Sequence, residues 1–142
     1  MVTIREVAPG DMEKGREWMQ DHELQQLVPP DPSLMSYAEF AIEVDSKLIG
    51  FCNIADLTSD QAELGIWIGD KSCWGKGHGT EAMKQLVAFC FSKGLKRVYL
   101  KTLWSNSRAI RCYEKCGFTR YGTQSQDGHS WVLMELYNND AL

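Results

Sequence analysis

One stretch constrains this chain more than any other. It is Cys73-Trp74-Gly75-Lys76-Gly77-His78-Gly79-Thr80-Glu81-Ala82, a glycine-rich turn that follows a strand-like segment and runs directly into an amphipathic helix. With glycine at 75, 77 and 79 no Cβ stands over the turn, so its amides can point together and a bulky anion can come within hydrogen-bonding distance. The helix adds its own unpartnered N–H groups and the positive end of its dipole. Together these features make a site for phosphate or pyrophosphate, the plain alternative being a loop that merely turns the chain.

Two nucleotide-binding readings fail on spacing. A dinucleotide fingerprint needs its glycines near the start of a repeating βαβ unit with an acidic residue some 20 positions on, and here they lie mid-chain with no such carboxylate. A Walker loop needs Gly-Lys-Ser/Thr, whereas Lys76 is followed by Gly77.

The 142 residues, 44% of them hydrophobic, can bury one substantial core, so a single domain over 1–142 is expected. No apolar run approaches the ~20 residues of a membrane span and residues 1–6 form no apolar signal region, so a cytoplasmic protein without membrane contact is expected. Acidic and basic residues interleave to a net charge of −4, which speaks against nucleic acid and suits a cationic acceptor. Cysteines 52, 73, 90, 112 and 116 are odd in number and lack Cys-x-x-Cys spacing, so reduced thiols are expected rather than a disulfide framework. Cys112 and Cys116 lie four apart on an expected helix and can face one another, but no His or Cys at ligand spacing completes a zinc site and no metal is expected.

Periodicity assigns the remaining segments. Residues 2–7 alternate as a strand, and 11–20 carry Met12, Gly15, Trp18 and Met19 at helical spacing. A second short helix over 21–28 is stopped by Pro29-Pro30-Asp31-Pro32. Residues 40–44 and 48–54 read as a hairpin across Asp45-Ser46-Lys47, with 61–68 the next strand. A helix over 77–93 buries Met83, Leu86, Val87 and Cys90 and is capped by Gly94. Residues 97–103 form a strand and 106–116 a helix closed by Gly117, and 118–137 form a hairpin turned at Asp127-Gly128. The order β-α-α-β-β-β-α-β-α-β-β describes a mixed α/β sandwich.

The segment Trp74-Gly75-Lys76-Gly77-His78-Gly79, followed about 30 residues on by Asn106-Ser107-Arg108-Ala109-Ile110-Arg111-Cys112-Tyr113-Glu114-Lys115-Cys116-Gly117-Phe118, resembles the GNAT superfamily of acetyl-CoA-dependent N-acetyltransferases. The motif form is most similar to the branch of ribosomal-protein N-terminal and small-amine acetyltransferases. The resemblance implies an α/β fold with a mixed, mostly antiparallel sheet flanked by helices, its fourth and fifth strands splayed around the pantetheine arm of acetyl-CoA. It implies that Trp74, Gly75, Lys76, Gly77, His78, Gly79 and Thr80 border the pyrophosphate, that Asn106 contacts pantetheine, and that the backbone at Trp67, Ile68 and Gly69 contacts the cofactor. Trp74 stands where the family carries Gln or Arg, so a side-chain contact to phosphate is lost.

Acetyl transfer to an amine needs a neutral amine, a polarised thioester and a proton for the departing thiolate. Tyr113 is the candidate acid, because it follows Asn106 by seven residues, two helical turns, and so shares its side of the helix. Glu63 is the candidate base, since strand alternation puts Glu63, Gly65 and Trp67 on one face and Leu64, Ile66 and Ile68 on the other. His22 and water are the alternatives to it. Some family members carry a Glu on the fifth strand where this chain has Lys101. Asp21, His22 and Glu23 fall in the segment bordering the acceptor in related enzymes, and Trp104 is a further pocket candidate, as is Trp18. Cys73 has no paired base, so a covalent intermediate is disfavoured. The expected acceptor is a small amine, polyamine or aminosugar-like, or a protein N-terminus; a sensor that binds acetyl-CoA without turnover is the alternative, and a homodimer is an open expectation.

Overall fold

The computed structural model describes residues 1–27 and 36–139. The elements are β1 (Val2–Glu6), α1 (Pro9–Trp18), α2 (His22–Leu27), β2 (Ser36–Val44), β3 (Lys47–Ala55), β4 (Gln61–Ile68), a 3-10 turn (Lys71–Cys73), α3 (His78–Ser92), β5 (Arg97–Leu103), α4 (Ser107–Lys115), β6 (Thr119–Gln126) and β7 (His129–Tyr137). Among the described residues the strands form one seven-stranded sheet in the order β1-β2-β3-β4-β5-β7-β6. Every neighbouring pair is antiparallel except β4 and β5.

The parallel pair is short, and that shapes the molecule. β4 and β5 share only Gln61↔Arg97, Ala62↔Val98 and Glu63↔Tyr99. Beyond Glu63, β4 continues to pair with β3 as far as Ile68↔Gly50, while β5 continues to pair with β7 as far as Leu103↔Trp131. The two strands are thus each held from outside and part in the middle, which opens the expected splay.

The core lies between the sheet and α3. Ala82, Met83, Leu86, Val87 and Cys90 recur at helical spacing and are buried against Ile42, Cys52, Ile54, Val98, Leu100 and Met134. Leu86 is fully buried, so Leu86→Ala should cost about 2–5 kcal/mol in a denaturant titration. A loss below about 1 kcal/mol would contradict close packing under α3.

On the opposite face one ion cluster fixes α1. Arg5 donates to both oxygens of Asp11, at 2.7 and 3.1 Å, and its Nε lies 2.8 Å from Glu43, so one guanidinium joins β1, β2 and the helix. Asp11 also accepts from the Ala8 amide at 2.6 Å, tying off the first turn of α1, and Arg5 holds its carboxyl below the usual carboxylate range. This placement brings Trp18 against Phe51 and Trp67 in an aromatic cluster.

Several boundaries differ from the sequence reading for local reasons. The first helix begins at Pro9 rather than Asp11, because proline fits the first helical position and Asp11 serves the cap two residues later. The first hairpin turns on two residues, Asp45 and Ser46, both at positive φ (51° and 69°), and Lys47 already belongs to β3. Asp127 and Gly128 repeat that geometry between β6 and β7. β2 begins at Ser36, four residues before the expected start, and the proline stop at 29–32 lies outside the described residues.

Candidate active site

The gap between β4 and β5 holds a cavity of 530 Å³, walled by α2, the glycine turn and α4. The glycine turn stands at one mouth. Gly75 and Gly77 have φ of +76° and +82°, the left-handed region that favours glycine, and Gly77 is the N-cap of α3. Gly79 needs no such freedom, and a Cβ there would meet Cys112 Sγ at 3.8 Å and Ile68 at 3.9 Å, ordinary contacts. His78, Gly79 and Thr80 form the first turn of α3 and line the cavity, and the amides of a helix's first turn have no helical partners.

Trp74 does more than border the turn. Its indole Nε1–H donates to the Ile68 carbonyl at 2.9 Å, pinning the end of β4. Its ring carries the Arg108 guanidinium at 4.6 Å from the centroid, and the Lys71 ammonium lies at 5.8 Å. Arg108 comes from the first turn of α4 and also lines the cavity. Sequence reasoning missed Arg108; its signal was the cation two positions after Asn106 combined with an aromatic in the turn.

Asn106 N-caps α4, its side chain accepting from the Ala109 amide at 3.2 Å, and borders the cavity. Tyr113 lies deeper on the same helix, 6% exposed, with its ring edge-on to Phe118. Burial, and then the neighbouring Cys112 and Cys116, push its hydroxyl above the usual phenol range, so it stays protonated at neutral pH. Glu63 sits at the fork where β4 and β5 part, opposite Tyr99, and lines the cavity. Beside it, Asn53 of β3 fills the space a Cβ on Gly65 would need, a cross-strand fit legible only once register pairs the two. A second hollow of 340 Å³ under α1 shares Asn53 and Trp67 with the cleft.

Other candidates are placed differently. Gly69 lies outside the cavity wall, its amide donating to Ile49 at 2.8 Å and its α-carbon covered by Trp18. Lys76 points to solvent away from the wall, and Trp104 is 67% exposed at the far end of β5. Asp21 and Glu23 form a clasp with Lys71 at 2.8 and 2.9 Å, and Asp21 also caps α2 through the Glu23 and Leu24 amides. The two carboxylates therefore join α2 to the 3-10 turn, and it is Leu24 and Leu27 of that helix that reach the cavity. His22 is exposed. Lys101 donates to Gln126 at 3.0 Å and lies over Trp131. Among the described residues no three His, Cys, Asp or Glu side chains converge as metal ligands, and no helix is long and apolar enough to cross a membrane.

The profile of the acetyltransferase (GNAT) domain matches residues 2–119. The chain belongs to the GNAT family. A kanamycin resistance protein of Rhizobium radiobacter is 42% identical over 70 residues, which is 48% of this chain and 65% of that one. The chain spans less than two thirds of the first curated relatives it matches, from 17% to 65% of their length. Among solved structures, the aminoglycoside acetyltransferase AAC(6')-Ib in complex with coenzyme A superposes with a TM-score of 0.85 at 23% identity, covering 99% of this chain and 96% of that one. A spermidine N-acetyltransferase from Vibrio cholerae, in complex with CoA and spermine, gives 0.81 at 20% identity, covering 96% and 95%. Both likenesses are of the fold over nearly the whole of each chain.

Proposed function

We propose that the protein transfers the acetyl group of acetyl-CoA to a primary amine by direct attack in a ternary complex. The observation that carries this reading is the single cleft in which the glycine turn, Asn106, Tyr113 and Glu63 meet. The pyrophosphate fits the first turn of α3, with Arg108 on its Trp74 platform supplying a cation at the same mouth in place of the family's Gln or Arg. Pantetheine then runs between β4 and β5 past Asn106, which brings the thioester toward Tyr113.

The amine lone pair attacks the thioester carbonyl carbon, the tetrahedral intermediate collapses, and the C–S bond breaks to release CoA thiolate. The ammonium proton passes to Glu63, directly or through water, and Tyr113 donates a hydrogen bond to the developing thiolate. A high hydroxyl pKa makes Tyr113 a donor that keeps its proton until charge builds on sulfur, with solvent completing the transfer. A sensor that only binds acetyl-CoA would have no use for an acid and a carboxylate in one cleft.

A small polyamine or aminosugar-like amine is the acceptor favoured here, supported by the kanamycin resistance relative and by the net charge of −4. Thiol release measured against polyamines, aminoglycosides and short peptides tests this directly. Turnover of peptides alone would move the acceptor to a protein N-terminus, and acetyl-CoA binding with no turnover of any amine would leave the sensor.

Glu63→Gln isolates the base. A base must be unprotonated to accept the amine's proton, so kcat/KM should fall at acidic pH. The Gln variant should bind acetyl-CoA normally, lose activity near pH 7 and regain much of it at high pH, where the free amine is already neutral. An acidic limb that persists unchanged with wild-type rates at pH 7 would leave Glu63 a wall residue and move the base to His22 or water.

A further inference from the structure

Cys112 of the cleft wall has a second thiol beside it, and acetyl transfer uses neither. Cys112 of α4 and Cys116, the C-cap of that helix, lie one turn apart, and both are half-buried against the first turn of α3. The Cys116 thiol donates toward the Thr80 carbonyl at 3.5 Å, and a Cβ on Gly79 would lie 3.8 Å from Cys112 Sγ. Cys112 Sγ therefore sits beside the positive end of the α3 dipole, where the proposed pyrophosphate site is.

We infer that Cys112 and Cys116 form a redox modification site, in which a peroxide links them as a disulfide and thereby closes the cofactor cleft. The inference rests on the proposed binding of acetyl-CoA in that cleft. The pair divides its roles by environment. The neighbouring Cys116, then Thr80 and the charge of Lys115, draw Cys112 below the usual thiol range against its burial, which favours its thiolate as the attacking sulfur. Cys116 is held up, by the neighbouring Cys112, by burial and by Glu81, with Lys84 opposing, so it keeps its proton.

The steps balance with a hydroperoxide as oxidant. The Cys112 thiolate attacks a peroxide oxygen, the O–O bond breaks, and the alkoxide or hydroxide leaves with the peroxide's other oxygen, giving a sulfenic acid. The Cys116 sulfur then attacks the Cys112 sulfur, displacing hydroxide, which takes the Cys116 proton and departs as water. Two thiols are oxidised and one peroxide is reduced. Neighbours at i and i+4 on a helix have Cβ atoms about 5–6 Å apart, whereas a disulfide needs about 3.5–4.5 Å. Closure must therefore draw in the last turn of α4 and its C-cap Cys116, which Gly117 follows at φ +100°. That movement removes the Cys116 bond to Thr80 and shifts Tyr113, the residue next to Cys112.

The test treats the reduced full-length protein with hydrogen peroxide, with and without acetyl-CoA, and maps it by non-reducing tryptic mass spectrometry. Trypsin cuts after Arg111 and Lys115, so peptides 112–115 and 116–120 separate unless a disulfide joins them. The expected result is the joined pair, a fall of about tenfold or more in acetyl-CoA affinity that dithiothreitol reverses, and slower linkage when acetyl-CoA fills the cleft. Cys116→Ser keeps a donor toward Thr80; it should bind acetyl-CoA as the reduced wild type does, and after peroxide carry oxygen on Cys112 with no link. Unlinked peptides while other cysteines oxidise, or a linked protein that binds acetyl-CoA as tightly as the reduced one, would overturn the inference. Failure of the reduced protein to bind acetyl-CoA at all would fault the proposed function instead, and the peptide map still decides whether the thiols pair.

Discussion

Tyr113→Phe should lower kcat by about 10² at saturating acetyl-CoA and amine, with cofactor affinity changed far less. The substitution removes one oxygen and spares the ring, whose contact with Phe118 and burial at 6% exposure belong to packing. Loss of affinity would mean that the hydroxyl holds the cofactor, and loss of stability that it holds the fold. The expected size is the lower end of what acid catalysis supplies, because burial makes this phenol a reluctant proton source. Single-turnover rates across a series of thioesters with leaving groups of different acidity would read the role directly, since help from Tyr113 should matter most for the poorest leaving group. Turnover within a factor of about two of wild type, with chemistry rate-limiting, would make Tyr113 structural and remove its hydrogen bond to the departing thiolate from the mechanism.

Gly77→Val should weaken acetyl-CoA binding by at least about tenfold. The reason is the backbone rather than a clash. Gly77 has φ +82° and a Cβ there would meet nothing within 4 Å, so a β-branched residue has room but is strained in the left-handed region. Relief of that strain swings the amides of the first turn of α3, and a retained conformation puts a methyl-bearing carbon where the phosphate approaches. Gly94→Val supplies the matched control, because Gly94 has φ +93° with equally open surroundings at the other end of α3. It should lose stability while binding acetyl-CoA like wild type. Calorimetry that finds unchanged affinity in a folded Gly77→Val variant would remove the pyrophosphate assignment.

Some of this molecule is written in local pattern and some is not. Alternation along β4 assigns Leu64, Ile66 and Ile68 to one face and Glu63, Gly65 and Trp67 to the other, because successive strand side chains must oppose one another; the burial alternates as far as Leu64, and from Gly65 to Ile68, where the strand borders the cleft, both faces are half-buried. The helical spacing of Met83, Leu86, Val87 and Cys90 likewise identifies the buried face of α3, since 3.6 residues per turn leaves no other stripe. Positive φ at Gly75 and Gly77 follows from residue type and turn length, and so does the turn at Asp127 and Gly128. These are properties of a residue and its near neighbours, so the chain alone determines them, together with the order of elements and the two motifs that mark the family.

What the tertiary structure decided are meetings between residues far apart in sequence. Asp21 and Glu23 read as open carboxylates until the 3-10 turn brings Lys71 to within 3 Å of both, at 2.8 and 2.9 Å. Trp74 reads as a lost phosphate contact until α4 lays Arg108 across its ring. Asn53 has no local signal, and it enters the cleft only because register sets it opposite a glycine at 65. Trp104, a plausible pocket residue by type, ends up in solvent because β5 stops one residue before it. Pattern fixes which face a side chain presents, since that depends on the chain's own geometry. Which partner waits on that face depends on strand order, register and where two strands part, and those are set by packing of the whole domain.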